Sequence, residues 1–118
     1  MRGAALLSLG LLAWSALADE REGTLDPNAV ANVVGQHRAE VTGCFQRVVN
    51  GTRAGQVVLE WKITLGGTPV GVRTRASTME SPELENCLTA LVTQWRFPSP
   101  KGGPVHVSYP FSFSSVDP

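Results

Sequence analysis

Side chains that do chemistry are scarce in this sequence. Two histidines and two cysteines are spread over 118 residues. His37 and His106 fall in separate segments, and no His/Cys spacing matches a zinc site, so no metal is expected. There is no Cys-x-x-Cys pair, and neither cysteine is flanked by features that would favour its thiolate. No Gly-x-Ser-x-Gly setting frames a nucleophilic serine. The carboxylates of Glu80, Glu83 and Glu85 cluster where a helix is about to start, and the positive end of that helix accounts for them. The chain therefore reads as a non-enzyme, without cofactor or small-molecule substrate. An excess of either charge is also missing, with ten basic and ten acidic residues. No basic run or stripe appears, which removes the electrostatic ground for a nucleic-acid partner. Internal repeats and low-complexity segments are absent too, and the length suits one domain.

One long apolar run is present. "GAALLSLGLLAWSALA" follows Arg2 and closes on Ala16-Leu17-Ala18, with small residues where a signal peptidase reads. Residues 1–18 are expected to be a signal peptide, cleaved near Ala18-Asp19, which places the rest in the periplasm or outside the cell. Sixteen residues separate Arg2 from Asp19, fewer than the roughly 20 that span a bilayer comfortably. An uncleaved membrane anchor is the alternative. No cysteine follows the run, which argues against a lipoprotein. In an exported chain Cys44 and Cys87 are a candidate disulfide. It would close a loop of roughly 44 residues and stabilise the domain by about 4 kcal/mol in the chain-entropy treatment.

Residues 19–25 are polar and read as a flexible leader, residues 26–114 as the domain, and residues 115–118 as a tail. Asp26-Pro27 opens a helix as N-cap and first-turn pair. Val30, Val33, Val34, His37, Val41, Cys44, Phe45 and Val48 follow at helical spacing, so one helix is expected as far as Gly51. "GQVVLEWKITL" alternates, with Val57, Leu59, Trp61, Ile63 and Leu65 on one face and Glu60 and Lys62 on the other. After Gly66-Gly67 the alternation resumes, placing Val70, Val72, Thr74 and Ala76 inward and Arg73 and Arg75 outward. A two-residue loop sets Glu60 opposite Arg73, and a four-residue loop sets it opposite Arg75. An odd loop without a bulge would oppose inward to outward residues and is rejected.

Ser81-Pro82 opens a second helix, with Leu84, Cys87, Leu88, Leu91, Val92 and Trp95 on its apolar stripe. Phe97-Pro98 ends it. The last strand sends Val105, Val107, Tyr109, Phe111 and Phe113 inward, with His106, Ser108, Pro110 and Ser112 outward. A helical crossover makes strands two and three parallel to each other, both antiparallel to strand one, in spatial order 2-1-3. Pro110 agrees, because a strand proline belongs on an edge. The fold class is α+β: an α-β-β-α-β two-layer sandwich with both helices on one face of a three-stranded antiparallel sheet. The core is expected around Val34, Phe45, Trp61, Ile63, Leu88, Trp95, Phe97 and Phe111, and the exposed sheet face carries Glu60, Lys62, Arg73 and Arg75.

"HRAEVTGCFQRVV", "GQVVLEWKITLGG", "VRTRAST", "LENCLTALVTQWRFPSPKGG" and "VSYPFSF" resemble the C-terminal domain of the myxobacterial AgmX/PglI gliding-motility proteins. That domain is in turn similar to the C-terminal domain of TonB, a periplasmic energy transducer. The resemblance runs from about Leu25 to Phe113. It implies a TonB-like fold and a protein partner in the cell envelope. It also implies docking by β-augmentation along the last strand, past His106, Ser108, Pro110 and Ser112. The competing reading of Pro110 is an edge blunted against aggregation. A TonB-type transducer adds a membrane helix and a long Pro-rich spacer. Here the domain follows the apolar run after a few residues, so a free-standing periplasmic interaction module is expected. A membrane-tethered transducer component is the alternative if that run is not cleaved.

Overall fold

The computed structural model of the chain describes residues 21–48 and 53–114. The expected apolar segment, helix-ending Gly51 and tail lie outside the described residues. Three helices and three strands follow in the order α1 (Pro27–Gln36), α2 (Arg38–Val48), β1 (Ala54–Ile63), β2 (Pro69–Ser77), α3 (Pro82–Gln94) and β3 (Val105–Ser114). The strands form one sheet in spatial order β2-β1-β3, and both pairings are antiparallel. The fold is therefore α+β, with β1 at the centre.

β1 owes its place to its pattern. Val57, Leu59, Trp61 and Ile63 are buried on one face, while Val58, Glu60 and Lys62 on the other are partly open. The buried residues of all three helices join the inner face of β1 in a single core. Phe45 of α2 stacks on Phe113 of β3 with centroids 5.0 Å apart, and Trp61 meets Phe97 at 5.8 Å. Such ring pairs favour a fixed packing beyond their burial alone. Of the expected core residues, Phe45, Trp61, Ile63, Leu88, Trp95, Phe97 and Phe111 are buried. Val34 packs against that core only partly buried.

The helix expected from Pro27 onward is two helices. α1 ends at Gln36, and His37 caps it with φ −108° and ψ 18°, its N–H donating to Val34 O at 3.0 Å. The His37 carbonyl then accepts from Val41 N–H at 3.1 Å, so the same residue closes one helix and opens the next. Its ring stacks on Trp95 at 4.6 Å with the planes 11° apart. That contact holds the break against the end of α3. The apolar spacing continues unaltered through the break, which is why periodicity alone does not reveal it.

β2 departs from simple alternation. Residues 64–68 form the loop, an odd number, and Ile63 pairs with Pro69 rather than Val70. Two irregularities on β2 shift the phase, each by one residue. Gly71, at φ +64°, adds a residue between the Lys62–Val70 and Glu60–Arg73 pairs. Arg75 adds another between Leu59–Thr74 and Val58–Ala76. Glu60 thus does face Arg73, but through a loop plus a bulge. Val70 and Ala76, expected inward, are exposed, Val70 at 40 %. Pro69 is buried and Ser77 half-buried instead.

The leader also differs from a free segment. Thr24 N–H donates to Lys101 O at 2.8 Å, Lys101 N–H returns to Thr24 O at 2.9 Å, and Gly23 N–H reaches Pro104 O at 2.8 Å. Backbone bonds of this kind leave no side-chain signature. The Cys44–Cys87 disulfide is formed, with Cα atoms 5.9 Å apart, and joins α2 to α3.

Candidate docking edge and charged sheet face

Because β1 is central, β3 has an open outer edge. The direction of its backbone groups follows from its neighbours. Thr64 N–H bonds to Thr68 O at 3.0 Å, so even-numbered β1 residues turn their N–H groups toward β2. Odd-numbered β1 residues then bond to β3, engaging Val107, Tyr109 and Phe111 through their partners Trp61, Leu59 and Val57. His106, Ser108, Pro110 and Ser112 are left facing outward. The His106 N–H fits this alternation, because it donates to Glu22 Oε2 at 3.3 Å on the outer side. Pro110 costs no ladder hydrogen bond, since its missing N–H would point away from β1. Among the described residues no hydrogen bond engages the outward N–H of Ser108 or Ser112.

Two concavities flank this edge on the helix side. One, of about 300 Å³, lies between the helices and the second half of β3, with Val34, Arg38, Val41, Tyr109 and Phe113 on its walls. The other, of about 560 Å³, runs along the first half of β3 and includes Leu25, Val30, Val107 and Tyr109. Arg38 stands exposed on the wall of the first. The edge therefore has a partly apolar trough beside it and free backbone donors above it.

The side chains of Ser108 and Ser112 lie on the outer sheet face rather than in the trough. Arg75 Nη1 donates across β1 to Ser108 Oγ at 3.2 Å, and Gln56 Nε2 donates to Ser112 Oγ at 3.3 Å. On the same face the Arg73 guanidinium pairs with the Glu60 carboxylate. Glu60, Arg73, Arg75 and Ser108, with Lys62, Val70 and His106, surround a shallow depression of about 820 Å³. The four expected charged-face residues are thus brought together: three cations and one carboxylate, with only Glu60 and Arg73 paired. An exposed ion pair of this sort stabilises by about 0.2–1 kcal/mol, so its place in the fold is positional more than energetic.

His37 Nδ1 lies 3.2 Å from Glu40 Oε1 on the helix side, and His106 is on the opposite sheet face. The structure does not bring them together. Among the described residues no helix is long and apolar enough to cross a membrane.

Three contributors escape sequence reasoning. Glu22 caps the outward N–H of His106 from a stretch with no periodic signal. Met79, between β2 and α3, is fully buried. Arg47 places Nη2 3.3 Å from Cys87 Sγ and 3.9 Å from Cys44 Sγ, although neither cysteine was expected to have such a neighbour. Its spacing of three from Cys44 along α2 is the one available signal, because that interval shares a helix face. Set beside known proteins, the chain matches no family model, no curated protein and no solved structure.

Proposed function

We propose that this chain is a non-enzymatic, periplasmic protein-interaction module of a cell-envelope or gliding-motility complex that holds an extended segment of a partner along the outer edge of β3. The observation that carries the reading is the unpaired outward row of β3 from Ser108 to Ser112, lying beside a trough lined by Val34, Val41 and Tyr109. Main-chain hydrogen bonds to such an edge supply affinity, and alternate side chains of the incoming strand enter the trough for specificity. The resemblance of the sequence to the AgmX/PglI C-terminal domain supports the same edge and the envelope setting. Pro110 leaves its carbonyl as an outward acceptor while withholding a donor, so the partner strand exchanges both bonds at Ser108 and Ser112 and only donates at the position between.

The test is a photo-crosslinking side chain placed at Ser108, and separately at Ser112, in the native host. Capture of one and the same envelope protein from both positions is the expected result. Capture of nothing, in cells where the protein is folded and abundant, overturns edge docking.

A further inference from the structure

The disulfide has two unlike ends. Cys44 Sγ belongs to a residue with 0 % exposure, whereas Cys87 on α3 is only half-buried. One cation touches both sulfurs: Arg47 Nη2 is 3.3 Å from Cys87 Sγ and 3.9 Å from Cys44 Sγ. Among the described residues no carboxylate forms an ion pair with this guanidinium. The guanidinium also lies close to Gly43. A Cβ at that position would lie 3.2 Å from Arg47 Nη1, a tight approach inside a helix where glycine costs about 1 kcal/mol relative to alanine.

A guanidinium gains little from a neutral disulfide, whose sulfurs are weak acceptors. It gains much more from a thiolate, because hydrogen bonds between ionised partners are roughly twice as strong as neutral ones. The cation is therefore better matched to the sulfurs after the bond opens than before. Arg47 lies in the last turn of α2, where the helix dipole favours a cation in any case. Its contact with both sulfurs gives that charge a further role once the bond opens, since thiolates are the species released in exchange.

We propose that Cys44–Cys87 is an exchangeable, redox-active disulfide, with a dithiol as its electron donor and Arg47 as the group that stabilises the released sulfur anions. One thiolate of the dithiol attacks Cys87 Sγ, the sulfur of the less buried residue. A donor–Cys87 disulfide forms, the Cys44–Cys87 bond breaks, and its electron pair leaves on Cys44 Sγ beside Arg47. The second thiolate of the donor then attacks the donor sulfur of this mixed disulfide. The donor closes into its own disulfide, and Cys87 leaves as a thiolate at hydrogen-bond distance from the same guanidinium. Two electrons pass from the dithiol to the protein. The two protons given up by the donor go to solvent or to the cysteine sulfurs. The reverse sequence hands the disulfide to a dithiol.

The experiment uses the full chain, purified oxidised, with dithiothreitol as the dithiol. Samples are acid-quenched at intervals, alkylated, and weighed intact to give both the rate and the equilibrium extent of reduction under native conditions. Arg47→Ala is expected to slow reduction and to require more dithiothreitol at equilibrium, each by about 3- to 10-fold. Arg47→Lys, which restores the charge without the planar fork, should recover part of the loss. Urea unfolding of the oxidised proteins serves as the control for a merely structural role: Arg47→Ala should leave that midpoint close to the parent's, because an exposed arginine carries little of the folded state's stability. Equal reduction of parent and Arg47→Ala overturns the proposal. So does a disulfide that resists dithiothreitol until urea unfolds the chain.

Discussion

Two glycines at positive φ permit a comparison that separates backbone strain from steric exclusion. Gly71 sits at φ +64° in the β2 bulge, and a Cβ there would meet nothing within 4 Å. Gly71→Ala should therefore cost only the left-handed strain, about 1–2 kcal/mol. Gly67 is at φ +83°, but its added Cβ would fall 2.1 Å from the Phe97 carbonyl oxygen, far inside the 3.4 Å where ordinary contact begins. The same strain applies, and the loop must also back away from Phe97. That movement breaks the 2.9 Å hydrogen bond from Phe97 N–H to Gly67 O, worth about 0.5–1.5 kcal/mol. It also disturbs a buried phenylalanine ring packed on Trp61, and losing half of that burial adds about 1 kcal/mol. Gly67→Ala should thus cost about 3–4 kcal/mol. Urea unfolding followed by tryptophan emission measures both. With a slope near 1.2 kcal/mol per molar, the midpoint should fall by about 1 M for Gly71→Ala and about 3 M for Gly67→Ala. Equal shifts would refute the claim that the hairpin loop is seated against the chain leaving α3.

Other expectations follow from the same geometry. Ser81 Oγ accepts the Leu84 N–H at 3.2 Å, so Ser81→Ala should destabilise by about 1 kcal/mol in thermal or urea unfolding. Leu88, 1 % exposed in the core, should cost about 2–5 kcal/mol on truncation to alanine, read by the same assay. Glu60→Gln removes a half-buried partner of the exposed Arg73 and should change stability by less than about 1 kcal/mol. Ser112→Pro removes an outward donor without touching the β1 ladder. It should leave the unfolding midpoint nearly unchanged while weakening partner capture by about 2- to 10-fold.

Much of the fold was legible because burial writes itself into side-chain order. β1 and β3 alternate without interruption, and their pairing keeps one register from Ala54–Ser114 to Ile63–Val105. Asp26-Pro27 and Ser81-Pro82 announce helix starts, and both caps are formed: Asp26 Oδ1 accepts from Asn28 N–H and Ser81 Oγ from Leu84 N–H. What escaped has a common cause. Bulges on β2 shift phase without altering composition, so Pro69 and Ser77 traded places with Val70 and Ala76. The helix break at His37 keeps the apolar interval on both sides. The pairing of Gly23 and Thr24 with residues 101–104 uses backbone groups that every sequence carries. The candidate edge was readable as side chains, but the Glu22 carboxylate over its first donor was not. Arg47 was visible as a neighbour of Cys44, yet only the packing of α2 on α3 brings Cys87 to it.

The pairing of the leader has a mechanical consequence. A pull on the chain from the side of Arg21 reaches first the Glu22 carboxylate on His106 N–H, and then Gly23 and Thr24, whose three backbone bonds join them to Lys101 and Pro104. The load is then passed to the segment that enters β3, not to α1. Until those bonds peel, α1 feels no tension and the trough between the helices and β3 keeps its shape. The Glu22 carboxylate leaves His106 before they do, and the free stretch of edge lengthens by one donor toward its N-terminal end. Tension on the leader would thus be felt as a longer landing strip for a partner strand.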